Sequence, residues 1–195
     1  SVWGHGSYLA PDWSADWLHR EAIALREIRA RQLHGTAYAT LQAGQQAALD
    51  AELNAEMRRN THDAASNVIT LSVERAEAVK LVAKHYADLF GDEASLAALR
   101  EQYAMLPGTL KLTEDREALS AFFFWSAWSA TTDRPGETGL SYTSNWPHEP
   151  LVGNTPTAGT GIWSIASLIL MIGAIAAMIF FHSRHEESDP VPPKN

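Results

Sequence analysis

The chain contains no cysteine at all among its 195 residues. That excludes, within these residues, a Cys-x-x-Cys-His haem attachment, an iron–sulfur cluster and a thiol nucleophile. It leaves the cellular compartment open, because an extracytoplasmic domain of this size folds without disulfides in many cases. Cations are scarce as well. Only two of the 15 Lys and Arg and three of the 23 Asp and Glu lie beyond residue 160, so residues 1–160 stand near −7. A surface of that sign repels phosphate backbones, and no basic patch is present to seat nucleic acid. Missing too are a Ser-His-Asp arrangement, a phosphate loop, an H-E-x-x-H pair and a dinucleotide fingerprint. No internal repeat or low-complexity tract occurs.

What is present is one long apolar run. Ile162 to Phe181 holds twenty residues without a charge. As a helix it would be roughly 30 Å long, the thickness of a bilayer's hydrocarbon core. Trp163 marks one rim, and Phe180, Phe181, His182, Arg184 and His185 the other, as interfacial anchors do. Gly173 and Ala177 make a small-x-x-x-small pair that permits close helix packing. Lys and Arg are absent from Pro135 to Gly161, whereas Arg184 and Lys194 follow the run. The positive-inside rule then places the tail in the cytoplasm and residues 1–160 outside. The organisation read from this is an ectodomain over 1–160, a membrane helix over 161–183 and a Pro-rich linker over 184–195, toward a further part of a longer protein.

The ectodomain reads as mainly helical. Asp12 caps a helix over Trp13–His34 that Gly35 stops, with Trp17, Leu18, Ala22, Leu25 and Ile28 on one side and Arg20, Glu27 and Arg31 on another. A polar, Ala-rich helix follows over 43–59, marked by Leu49 and Leu53. The turn-forming stretch 63–67 before β-branched Val68 and Ile69 predicts a small β-hairpin. Ser72 caps a third helix to Phe90, with Ala76, Val79, Ala83, Tyr86 and Phe90 as its inner rhythm, and Gly91 ends it. A short helix is expected over 95–105. Thr113 is expected to cap a fifth, with Glu114 and Asp115 in its first turn. Residues 118–130 carry no charge but are too few to span a bilayer, so they predict the central core helix, with Trp125 among the buried side chains. Residues 133–160 read as a long irregular connector, of the kind that is functional or pinned to a partner surface.

Few side chains invite chemistry. Asp16 and His19 stand three apart on a helix near His5 and Asp12 and could share an ion, yet capping by Asp12 and an Asp16–Arg20 pair explain them more simply. His148 and Glu149, flanked by prolines, could relay a proton or bind a headgroup. A loop clamp held by neighbouring hydrogen bonds is the plainer reading. The residues thus describe an anchored helical ectodomain without a catalytic site of its own.

Residues 1–21, Phe122-Phe-Phe-Trp-Ser-Ala-Trp-Ser-Ala130, Asp133-Arg-Pro135 and Tyr142-Thr-Ser-Asn-Trp-Pro-His-Glu-Pro-Leu151 closely resemble the N-terminal region of the quinol-dependent nitric oxide reductases. The resemblance covers nearly the whole chain in the right order. It implies a cytochrome c-like helical domain without haem, followed by the second membrane helix of a single-polypeptide enzyme of the bacterial cell membrane. Such an enzyme reduces nitric oxide to nitrous oxide with electrons from quinol. Its haem b, haem b3 and non-haem iron would belong to a catalytic membrane part beyond these residues, so no catalytic, cofactor or metal residue is assigned here. Gly4, Gly6, Tyr8, Ala10 and Pro11 match a Gly-x-Gly-x-Tyr-x-Ala-Pro stretch of the cytochrome c subunit in the sister enzymes. By that match Gly6 and Tyr8 are expected to face the catalytic part; His148 and Glu149 are expected at the same interface. A calcium site near the haem propionates would need the catalytic part for its other half, and no calcium ligand is assigned. Lipid, the catalytic part, quinol for the parent and a second copy in a homodimer, packed through Gly173 and Ala177, are the partners implied. Two alternatives of another class stay open: a free-standing anchored accessory subunit of an oxidase-like complex, and an extracytoplasmic sensor.

Overall fold

A computed structural model describes residues 12–186 and divides into two compact units, one through Thr155 and one from Pro156. The described part of the first unit is mainly helical, with one small hairpin and an irregular connector over 133–155.

Helix α1, Trp13–His34, begins where the Asp12 carboxylate accepts from the Ser14 and Ala15 N–H groups at 3.0 and 3.3 Å. It ends at Gly35, whose φ of 69° suits a residue without Cβ and lets its N–H reach the Arg31 carbonyl. Trp17, Leu18, Ala22 and Leu25 are fully buried, as the periodicity predicts, but so is Glu21. Helix α2, Ala43–Arg58, buries Leu49, Leu53 and Met57. Strands β1, His62–Asp63, and β2, Val68–Ile69, pair antiparallel with His62 opposite Ile69. The Asp63 carboxylate accepts from Ala65 N–H and the Ser66 hydroxyl and so shapes the turn.

Helix α3, Val73–Phe90, is capped by the Ser72 hydroxyl, which accepts from Arg75 N–H at 3.1 Å. Its buried stripe is Arg75, Ala78, Val82, Tyr86 and Leu89. Except at Tyr86, this stripe lies one position before the expected 76, 79, 83, 86, 90 rhythm. Val79, Ala83 and Phe90 pack at the edge of the core. With this phase Arg75 turns inward and meets Glu21.

The helix expected over 95–105 shortens to α4, Ala97–Gln102, behind a 3-10 turn at Ala94–Leu96. Buried Arg100 donates to the Asp88 and Glu93 carbonyls, satisfying backbone acceptors at and just beyond the end of α3. Helix α5, Thr113–Thr131, starts one residue earlier than a Thr113 cap would allow: Leu112 occupies the cap position, and the Thr113 hydroxyl accepts from Arg116 instead. Phe123, Ala127 and Trp128 face the core, whereas Phe122 and Trp125 are 57 and 54 % exposed. The expectation that Trp125 is a core side chain is therefore wrong. A run without charged residues gives little phase to its helix, and the side chains that meet α1 and α3 decide it.

Helices α1, α3 and α5 pack pairwise around an aromatic centre. Trp17 stacks on Tyr86 at 5.3 Å between ring centroids, and Phe123 meets Tyr86 edge-on at 5.1 Å. Trp13 touches the rings of Tyr86, Phe90, Tyr103 and Phe123. Burial of each such ring is worth about 1.5–3 kcal/mol, with about 0.5–1.5 kcal/mol more for ring geometry.

The second unit is dominated by helix α6, Ala158–Glu186, which begins four residues before the uncharged run and continues five beyond it. Its length is about 44 Å. It is long and apolar enough to cross a membrane, and none of its most apolar stretch is buried. The Arg184 guanidinium lies over the Phe180 ring at 4.8 Å.

Candidate functional site

The connector 133–155 is tied by many hydrogen bonds. Asp133 anchors its start: the Asp133 N–H donates to the Arg58 carbonyl at 2.9 Å, and its carboxylate accepts from Arg58 Nη1 and Gly139 N–H. Asn145, 5 % exposed, ties the middle. Its Oδ1 accepts from Ser141 N–H at 2.9 Å, while its Nδ2 donates to the Gly139 and Thr155 carbonyls. Asn154, fully buried, donates to the Pro147 carbonyl at 2.7 Å. A loop that meets its own backbone needs internally is rigid, and here it holds a large side chain out to solvent. Trp146 stands 56 % exposed at its tip.

Both members of the predicted His148–Glu149 pair lie in this loop, in different roles. His148 is exposed, and its Nδ1 donates to the Asn154 carbonyl at 2.9 Å, so the loop-clamp reading describes it. Glu149 is 7 % exposed and faces inward. Its Oε1 accepts from Leu151 N–H, and its Oε2 accepts from His19 Nδ1 at 2.9 Å. That last contact joins residues 130 positions apart and clasps the loop to α1. Nothing local in the sequence announces it.

Asp16 is likewise engaged, accepting from Arg20 Nε at 2.7 Å and from the Tyr86 hydroxyl at 2.6 Å. Burial, then the bond to Asp16, pushes the Tyr86 phenol far above its ordinary range. His85, half-buried on α3, is held below the ordinary histidine value by burial first and by Arg20 second. Among the described residues no three His, Asp or Glu side chains gather as a metal ion requires. Gly173 and Ala177 are exposed on α6, with nothing within 4 Å of where a Cβ on Gly173 would stand. Gly6 and Tyr8 lie outside the described residues.

The outer face beside the loop is aromatic. Phe122 stacks on Trp125 with centroids 6.2 Å apart. Trp125 and Trp146 also line one shallow cleft with Asp12, Ser14 and Pro147. Sequence reading missed this face because it placed Trp125 in the core. Among the described residues the arrangement is an exposed aromatic face beside a tightly hydrogen-bonded loop.

Residues 1–148 match the family model of the NorB-type cytochrome c-like domain of nitric oxide reductase. The chain belongs to this family. No curated protein matches it. A cytochrome c-like fold raises the question of a c-type haem, whose attachment motif these 195 residues do not contain. The chain has no cysteine for the thioether links. The interior between α1, α3 and α5 is occupied by Trp13, Trp17, Tyr86 and Phe123 in mutual contact. The sequence expectation of a nitric oxide reductase relative carrying a mainly helical, cytochrome c-like domain with one apolar anchor helix agrees with these findings.

Proposed function

We propose that this chain is the extracytoplasmic domain and adjoining membrane helix of a quinol-dependent nitric oxide reductase. The membership of residues 1–148 in the NorB-type cytochrome c-like family, in a chain without cysteine, carries the reading. Within these residues no cysteine is available to attach a c-type haem, which supports the quinol-dependent form of the enzyme over one fed by a soluble cytochrome. In this reading electrons enter through the membrane, from quinol. The overall reaction joins two nitric oxide molecules, two electrons and two protons into nitrous oxide and water. Haem b, haem b3 and non-haem iron in a catalytic membrane part supply that chemistry.

The residues here hold the domain in place. The rigid 133–155 loop and the Phe122, Trp125 and Trp146 face dock on the catalytic part, and α6 anchors the domain. The distribution of Lys and Arg, none from Pro135 to Gly161 and two after the span, supports a periplasmic domain and a cytoplasmic tail. The test is a reduced-minus-oxidised spectrum of the native, full-length protein in mild detergent. Haem b bands without a c-type band are expected. A c-type band, or a haem-free protein, would overturn the proposal, the latter in favour of an anchored accessory subunit.

A further inference from the structure

We infer that the pocket between α1, the end of α2, the hairpin and the start of α3 binds a tetrahedral oxyanion, phosphate or sulfate, either free or carried on a larger molecule. The inference is independent of the proposed catalytic role and uses neither the 133–155 loop nor the aromatic face. The pocket measures about 470 Å³, and its walls include Arg29, Glu56, Arg59, Thr61, Ser72 and Arg75. Three donors at these walls have no hydrogen-bond partner among the described residues: Arg29 Nη1, Arg75 Nη2 and the Thr61 hydroxyl. Arg75 is 2 % exposed, and all three atoms are shut from bulk water. Buried donors are seldom left unmet, because each then carries its full desolvation cost.

The acceptors nearby are already engaged. Glu56 accepts from Arg29 Nη2 with one oxygen and from the Ser72 hydroxyl with the other. Glu21 accepts from Arg75 Nε and Trp17 Nε1. The Glu56 carbonyl, near the negative end of α2, is met by Arg75 Nη1 at 3.4 Å and by Arg59 N–H at 3.2 Å. What remains is donors, so the group that fits supplies acceptors. Charge points the same way. Arg29, Arg59 and Arg75 stand against Glu52 and Glu56 in the walls, and Glu21 behind Arg75 brings the balance to zero. The positive N-terminal end of α3 adjoins the pocket at Ser72 and tips that balance toward an anion. The three unmet donors stand on three separate segments. A tetrahedral oxyanion presents oxygens in that many directions, whereas a carboxylate has two, and guanidinium groups match such oxygens well. Residues 1–160 stand near −7, so the attraction is local and rests on these donors rather than on long-range steering.

The test is calorimetric titration of the full chain in mild detergent with inorganic phosphate, inorganic sulfate and mixed micelles containing phosphatidic acid. Each probe is compared with sodium chloride at equal ionic strength. Saturable binding of one oxyanion per chain is expected. Binding of the inorganic anions assigns the site to a free oxyanion, and binding of phosphatidic acid alone assigns it to a lipid headgroup. Thr61→Val removes a hydroxyl that bonds to nothing else in the fold, and Arg59→Gln removes a charge from an exposed side chain, so both variants keep the fold. Each is expected to weaken binding at least about threefold, the worth of one hydrogen bond. Lys111→Gln, outside the pocket, should leave binding unchanged. Three results would overturn the inference: no probe binding beyond chloride, which would leave the donors to water; unchanged binding in both pocket variants; or an equal loss in Lys111→Gln.

Discussion

Glu21 and Arg75 form an ion pair almost sealed from water. Arg75 Nε donates to Glu21 Oε1 at 2.7 Å, with the Arg75 and Glu21 side chains 2 and 0 % exposed. The second Glu21 oxygen accepts from Trp17 Nε1 at 2.8 Å, so the carboxylate is held from two helices at once. Removing one partner strands a buried charge. Arg75→Met should cost about 3–5 kcal/mol. The double variant Glu21→Gln, Arg75→Met should recover part of that loss, because no unpaired charge remains. Urea titration of both in mild detergent checks the order; a double variant less stable than Arg75→Met would contradict it.

Two aromatic side chains two residues apart on α5 should behave differently. Phe123 is 5 % exposed and touches the rings of Trp13, Tyr86 and Phe90. Phe123→Ala should cost about 3–5 kcal/mol, while Trp125→Ala, at an exposed site, should cost under about 1 kcal/mol in the isolated chain. Equal losses in denaturant titration would contradict the phase of α5.

Those residues also show what a sequence yields and what it withholds. The helix ends were legible because their causes are local: the Asp12 and Ser72 caps, Gly35 beyond α1, and the turn residues 63–67. The phase of α3 and α5 was not. An apolar arc wide enough to satisfy several rotations fixes the period of a helix but leaves its orientation to tertiary partners. In α3 the partner was Glu21, a charge that a burial rule assigns to the surface. The His19–Glu149 clasp joins distant segments and left no local trace. On the candidate site, the loop and its histidine were found, but the aromatic face around Trp125 was hidden by the same phase error.

His85 gives a pH dependence. Burial, then Arg20, lowers its folded-state value below the ordinary 6.5. The unfolded chain therefore binds the proton more readily, and stability falls as pH drops through about 6.5 toward the lower folded value. Thermal unfolding between pH 7.5 and 5 should show a smaller acid loss for His85→Gln than for the intact chain. Parallel curves would exclude His85 as a contributor.

Asn145 should matter more than its place in a loop implies. Asn145→Ala removes an acceptor for Ser141 N–H and two donated bonds, including the one to Thr155. A loss of about 2–3 kcal/mol is expected, since buried backbone groups lose their partners. Faster proteolysis within 133–155 should accompany it, and an unchanged cleavage pattern would contradict the staple.

The most direct measurement is nitric oxide consumption by the native, full-length protein, supplied in turn with a quinol and with reduced cytochrome c. The account predicts turnover with quinol, nitrous oxide as product, and none with cytochrome c. Turnover driven by cytochrome c, or no consumption with either donor, would contradict it.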